Sequence, residues 1–308
     1  MRWAAAPGQP PAPYVRLPPP PKKGGGCFRV FMGLLVVSFL LCCCLVSAVA
    51  ESVDDPMNWE QVTNVAPVVG PKESLGDALV PGDLDPENAR RYAWRKRVQA
   101  YELGYGVSTE VHRNVEQDFD DLARRFDYVA GDGMNFTWVP PPNCRSKEWE
   151  CVFSALAHDN ADNIAPLTEL FRKRSQAENL DARQLTELVV SFVQNIKYRL
   201  PTEESAAFGL IPPTMVVSEG NGDCDSKALL AVIILRQLGI DANVLLASGL
   251  GHASLGVALP ATGRKFTLNR TKYAFVEVTT PGWAIGTVPP EYDVANAWKV
   301  IPVAVPKE

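Results

Sequence analysis

One cysteine stands at the end of a glycine- and asparagine-rich approach, Glu219-Gly220-Asn221-Gly222-Asp223-Cys224-Asp225-Ser226-Lys227. A histidine follows in Gly249-Leu250-Gly251-His252-Ala253-Ser254-Leu255, and a carboxylate in Phe275-Val276-Glu277-Val278-Thr279-Thr280-Pro281. Thiol, imidazole and carboxylate on three successive segments suit a Cys-His-acid triad. The sulfur attacks a carbonyl, the imidazole moves the proton, and the acid holds the imidazole in its working tautomer. Gln194 is a candidate fourth member, an amide N–H for a developing oxyanion, with the backbone N–H of Cys224 as second donor. The same glutamine also reads as an ordinary polar position on an amphipathic helix. Asp223 and Asp225 work against the thiolate, because negative charge beside sulfur disfavours its ionisation; either could instead cap a helix.

These residues need elements to position them. Ala228 to Leu235 is an unbroken apolar run, and Gly239 lies just beyond it. This predicts a helix that stops at the glycine and carries Cys224 in its first turn, where the helix dipole and free N–H groups favour thiolate. Apolar on most faces, it reads as the central buried helix of a domain. Downstream, 244–247, 253–259, 265–268 and 272–279 read as strands joined by short turns, hence an antiparallel sheet. Residues 285–289 and 300–303 are candidate edge strands, since proline suits edges. Trp283 either covers the triad or packs. Upstream, apolar spacing predicts a helix or a bent pair from Glu148 to Arg174, and a helix from an Asp181 cap to Tyr198. Residues 199–221 read as a long loop forming one wall of a cleft, with 202–205 able to face substrate.

Gly222-Asp223-Cys224-Asp225-Ser226-Lys227, then Gly251-His252, then Phe275 to Pro281, resemble the transglutaminase-like superfamily, and more narrowly its bacterial cysteine-proteinase branch. The resemblance covers residues 155–290. It implies an α+β, papain-like core, with a Cys-bearing helix packed on an antiparallel sheet and a helical region before it. It implies acyl transfer at amide bonds through a thioester on Cys224, with His252 as base and then acid. Peptide hydrolysis is the favoured outcome; transamidation by an amine, or an inactive domain that binds peptide in the cleft, are the alternatives. Many members place Asp where this chain has Glu277. Some relatives in the branch use Ca²⁺, which makes Asp223 and Asp225 candidate ligands; otherwise no cofactor is expected. The three histidines are scattered, and no second one stands at metal spacing from His158, so a metal-dependent hydrolase is disfavoured.

Composition sets the compartment and the partners. The first 29 residues are rich in proline and glycine and carry five basic and no acidic residues. Val30 to Val49 holds no charge and ends in Ala48-Val49-Ala50. It reads either as a signal peptide cleaved after Ala50 or as one membrane-spanning helix with its basic side in the cytoplasm. Both place the remainder outside the cytoplasm, in the periplasm or on the outer face of the inner membrane. A start nearer Met32 would weaken that reading. Without residues 1–50, Lys+Arg falls from 30 to 25 and Asp+Glu stays at 35, a net charge of −10. Such an acidic domain argues against nucleic acid or an anionic membrane surface as a partner; a protein or peptide substrate is what the resemblance implies. In an oxidising compartment Cys144 and Cys151 would pair, leaving Cys224 as the odd thiol; both could also be free.

The expected organisation is therefore a basic segment 1–29, an apolar segment 30–50, a linker and helical extension 51–147, and the thiol-enzyme domain 148–308. Within the extension, Asp85-Pro86 reads as the start of a helix reaching Leu103, with a basic cluster at Arg90, Arg91, Arg95, Lys96 and Arg97. Phe136 to Val139 reads as a short strand.

Overall fold

The computed structural model describes residues 70–80, 84–131, 136–201, 206–294 and 296–306. The apolar segment 30–50 and the 202–205 stretch lie outside the described residues. No helix among the described residues is long and apolar enough to cross a membrane.

The chain enters through three strands, β1 (Glu73–Leu79), β2 (Leu84–Lys96) and β3 (Gln99–Ser108), in the order β1-β3-β2. Here the structure corrects the helix expected from Asp85 to Leu103. From Tyr92 to Lys96, residues facing the core alternate with exposed ones, and Tyr101, Leu103, Tyr105 and Val107 are all buried. That is a period of two in β-branched and aromatic residues, and it outweighs the Asp-Pro start signal. Pro86 sits on an edge strand, inside the register shift between Leu84 and Ala89, where a missing N–H costs no ladder bond. Arg97 turns the hairpin with φ 57°. The basic cluster is spent locally: Arg91 pairs with Asp77, and Lys96 and Arg97 with Glu187.

Helix α1 (Thr109–Arg125) follows, capped by Ser108, then the short pair β4 (Val129–Ala130) and β5 (Phe136–Thr137). Cys144 and Cys151 are disulfide-bonded, with Cα atoms 5.9 Å apart, at the start of the long helix α2 (Glu148–Glu178). Helix α3 (Ala182–Asn195) begins with a full capping box between Asp181 and Gln184. After β6 (Lys197–Tyr198), the expected loop contains a helix, α4 (Pro213–Glu219). Its prolines misled the reading: proline breaks a helix interior but starts one at the first position, as Pro213 does here. Gly220 ends it in the left-handed conformation, φ 76°, and β7 (Asn221–Gly222) leads to the cysteine.

The centre is helix α5 (Cys224–Gln237), buried from Cys224 to Leu235. On one side lies a five-stranded antiparallel sheet in the order β10-β11-β9-β8-β12: β8 (Ala242–Ala247), β9 (His252–Val257), β10 (Lys265–Leu268), β11 (Thr271–Val276) and β12 (Lys299–Ile301). On its other sides lie α2, α3 and α4, which join α5 to the first sheet in one hydrophobic core. The fold is α+β, with a Cys-bearing central helix on an antiparallel sheet. The edge strand expected at 285–289 does not form. Gly286 has φ 92° and bonds both Arg264 and Phe275 through its backbone, which bends the segment instead of extending it.

Candidate active site

Asp223 is the N-cap of α5, and its carboxylate accepts from the Ser226 N–H at 3.2 Å. The Ser226 hydroxyl in turn accepts from the Ile211 N–H at 2.8 Å, which fastens the upstream segment to the helix start. These contacts put Cys224 in the first turn, 2 % exposed. Its thiol lies 3.7 Å from Asp225 Oδ1.

His252 opens β9 directly after Gly251, whose φ of 60° closes the preceding turn. A glycine is at home in that conformation, which explains the Gly-His pair. Glu277 follows β11, the neighbour of β9 in the sheet, with Val276 opposite Leu255. Adjacent strands thus bring His252 Nε2 to 3.1 Å from Glu277 Oε2. The other oxygen of Glu277 accepts from the backbone N–H groups of Val278 (3.0 Å) and Thr279 (2.7 Å) and from the Thr279 hydroxyl. Burial alone would raise the Glu277 carboxyl; the bonds from His252 and Thr279 outweigh it and hold the group below its ordinary value.

The sulfur meets the opposite balance. Burial pushes the Cys224 thiol well above its ordinary value, and Asp225 and Asp223 add to the push. The Ala253 and Asp225 N–H groups pull the other way and do not prevail. Desolvation and two nearby acids thus oppose the thiolate that a helix start favours. The acids themselves are raised, by burial first, and in Asp225 next by the charge of Asp223. Asp223 Oδ2 and Asp225 Oδ2 are buried with no donor among the described residues. One proton shared between the two carboxyls would satisfy both.

Asp223, Cys224 and Asp225 offer three ligand atoms within 4.8 Å of one another. Ca²⁺ takes about 6–8 oxygens, and two carboxylates beside a thiol fall short of that. The donor set does not fit a calcium cage.

Gln194 lies on α3, buried, and its amide donates to the Glu277 backbone carbonyl at 2.8 Å. The structure thus gives it a bracing contact behind the carboxylate strand. Trp283 makes no ring contact with His252. That cover comes from Tyr292, stacked on the imidazole at 4.0 Å and 14°, and Trp298, edge-on at 5.8 Å. Trp298 also donates to the Tyr292 carbonyl at 2.9 Å. Sequence reasoning missed both, because they lie 40 or more residues beyond the histidine and no local spacing links them. His112 pairs with Glu219 and Glu116, and His158 is exposed beside Asp159; neither enters the site.

The segment from 169 to 285 spans Cys224, His252 and Glu277, and it matches the family model Transglut_core, described as the transglutaminase-like superfamily. No curated protein and no solved structure matches the chain. Over residues 169–285, then, this chain is similar to the transglutaminase-like superfamily.

Proposed function

We propose that the protein is a thiol enzyme of the cysteine-proteinase branch, cleaving amide bonds in a protein or peptide substrate. The observation that carries this reading is the His252 Nε2 to Glu277 Oε2 bond of 3.1 Å, with His252 on β9, which packs against the helix that begins at Cys224. With Nε2 engaged by the carboxylate, Nδ1 is the nitrogen left for the sulfur. Cys224 Sγ attacks the substrate carbonyl carbon and its proton passes to His252 Nδ1. A raised thiol favours that transfer in step with attack over a resting ion pair. Glu277 stabilises the imidazolium. The C–N bond breaks, His252 returns the proton to the leaving amine, and a thioester remains. Water, deprotonated by the same imidazole, attacks the thioester; the carboxylic acid leaves and the Cys224 thiol is restored. The backbone N–H of Cys224 is the oxyanion donor in this scheme, and Gln194 its support through the Glu277 strand.

A second reading, a non-catalytic peptide-binding domain, draws on one observation: the sulfur is 2 % exposed and its thiol is raised. Incubation with a proteome-derived peptide library in H₂¹⁸O containing a primary amine separates the readings. Hydrolysis gives new termini carrying ¹⁸O, transamidation gives amine adducts, and Cys224→Ala gives neither. A wild-type protein that yields neither product while retaining peptides would establish the binding module. The same proposal places the domain outside the cytoplasm, by the apolar segment 30–50 and the acidic remainder; a phosphatase reporter fused after residue 51 that stays inactive would refute it.

A further inference from the structure

Lys227 is the only buried lysine or arginine among the described residues, 0 % exposed. It lies one helical turn beyond Cys224, on the same side of α5. Its Nζ donates to the carbonyls of Ile196 (2.8 Å), Thr279 (3.3 Å) and Gln194 (3.4 Å). Three ammonium donors meet three acceptors, and none is a carboxylate. Gln194 and Ile196 end helix α3, whose last carbonyls have no partner within the helix and carry its negative pole. Thr279 is two residues past Glu277. One side chain therefore ties together the end of α3, the start of α5 and the segment that carries the triad carboxylate. Gly222 makes room for it: a Cβ there would come within 3.3 Å of the Lys227 stem.

Three carbonyls alone do not account for a lysine. Burying an ammonium is costly, and a shorter polar side chain could brace the same segments. The groups whose charge reaches it are Glu277, Asp223 and Cys224. Asp225, next to Cys224 on α5, completes the acidic set. When the sulfur becomes anionic this pocket gains a further negative charge, and among the described residues His252 and Lys227 are the cationic groups set beside its acids. We propose that Lys227 is a positioning residue of the thiol chemistry: its buried positive charge offsets the acids around Cys224 and makes the sulfur ionisable. Desolvation brings the ammonium down to about 7 while the neighbouring anions hold it up, so its charge depends on theirs. The inference rests on the nucleophile reading of Cys224.

The test follows the iodoacetamide alkylation rate of Cys224 in the full-length chain from pH 5 to 10, by mass mapping of the peptide that bears it. Lys227→Met keeps the stem and removes the charge. Its profile should move up by about one pH unit, roughly tenfold slower near neutrality. Adding Asp223→Asn, which keeps a capping side chain and removes a negative charge, should recover part of the loss. A pure brace would lower the denaturation midpoint of Lys227→Met and leave the profile in place, and that result overturns the proposal. Should Lys227→Met fail to fold, Lys227→Arg decides. A permanent charge should leave the profile at or below the wild-type pH, and an upward shift overturns the proposal. A wild-type thiol unreactive at every pH would sink the nucleophile reading and this inference with it; a reactive wild type with an unchanged Met variant sinks this inference alone.

Discussion

Two carboxylate sites flank the same cysteine, and burial treats them alike: Glu277 is 1 % exposed, Asp223 and Asp225 0 %. Their charge states diverge. Glu277 is held below its ordinary value, whereas Asp223 and Asp225 are both raised. The difference lies in the supply of donors. Glu277 receives His252, two backbone N–H groups and a hydroxyl. The α5 pair receives the Ser226 N–H and hydroxyl, backbone N–H groups of its own and the thiol, yet leaves two buried oxygens unmet. Burial sets the stakes for a carboxylate in a low-dielectric site, and hydrogen bonds decide which form occupies it. The donors at Glu277 favour its anion beside an imidazole; burial at Asp223 and Asp225 favours the protonated form beside a sulfur.

The comparison can be broken at four places. Glu277→Gln removes the anion and keeps the shape, and turnover on any cleaved peptide should fall on the order of 10⁴-fold. A loss below tenfold would mean the imidazole needs no carboxylate. Thr279→Val strips one donor from Glu277 and should cost about 1.5–3 kcal/mol in urea denaturation at pH 7. It should also move the acid limb. The folded-state value of Glu277 is depressed, so its contribution is present above the unfolded value and is lost as pH falls through the folded one. With one donor gone the folded value moves back toward the unfolded one, so that loss should be smaller and complete at a higher pH; coincident acid limbs would remove the donor argument.

On the other side, Asp223→Ala should cost about 1 kcal/mol through the lost cap, with Asp223→Asn close to wild type; equal losses in both would assign Asp223 a role other than capping. Asp225→Asn should have the smallest effect at pH 5, and the opposite sign above it. The folded value of Asp225 is raised, so its contribution is fully present below the unfolded value and lost as pH rises through the folded one. The Asn variant should therefore gain on wild type from pH 5 to 8. Parallel stability curves would show that no proton is held there.

Much of the half that carries Cys224, His252 and Glu277 was legible from residue order. The apolar run after Cys224, the capping signal at Asp181 and the alternating strands around His252 are local patterns, and each formed the element its pattern specifies. The N-terminal half was harder. Asp85-Pro86 carries a true helix-start signal, and residues 92–107 carry a strand period; a neighbouring strand to pair with settled the contest, and that neighbour is a tertiary fact. Pro213 was ambiguous in the same way, since whether a proline breaks or begins a helix depends on where the chain goes next.

The sequence by itself determined the thiol, imidazole and carboxylate and the helix and strands that carry them, because those depend on side-chain chemistry and on periods of a few residues. The tertiary structure alone decided the protonation balance around them. Tyr292 and Trp298 over the imidazole, the Ala253 N–H at the sulfur and Lys227 among three carbonyls come from segments distant in the chain. Desolvation and charge–charge interaction act through space at a few ångströms, and no spacing along the chain encodes which groups will meet there.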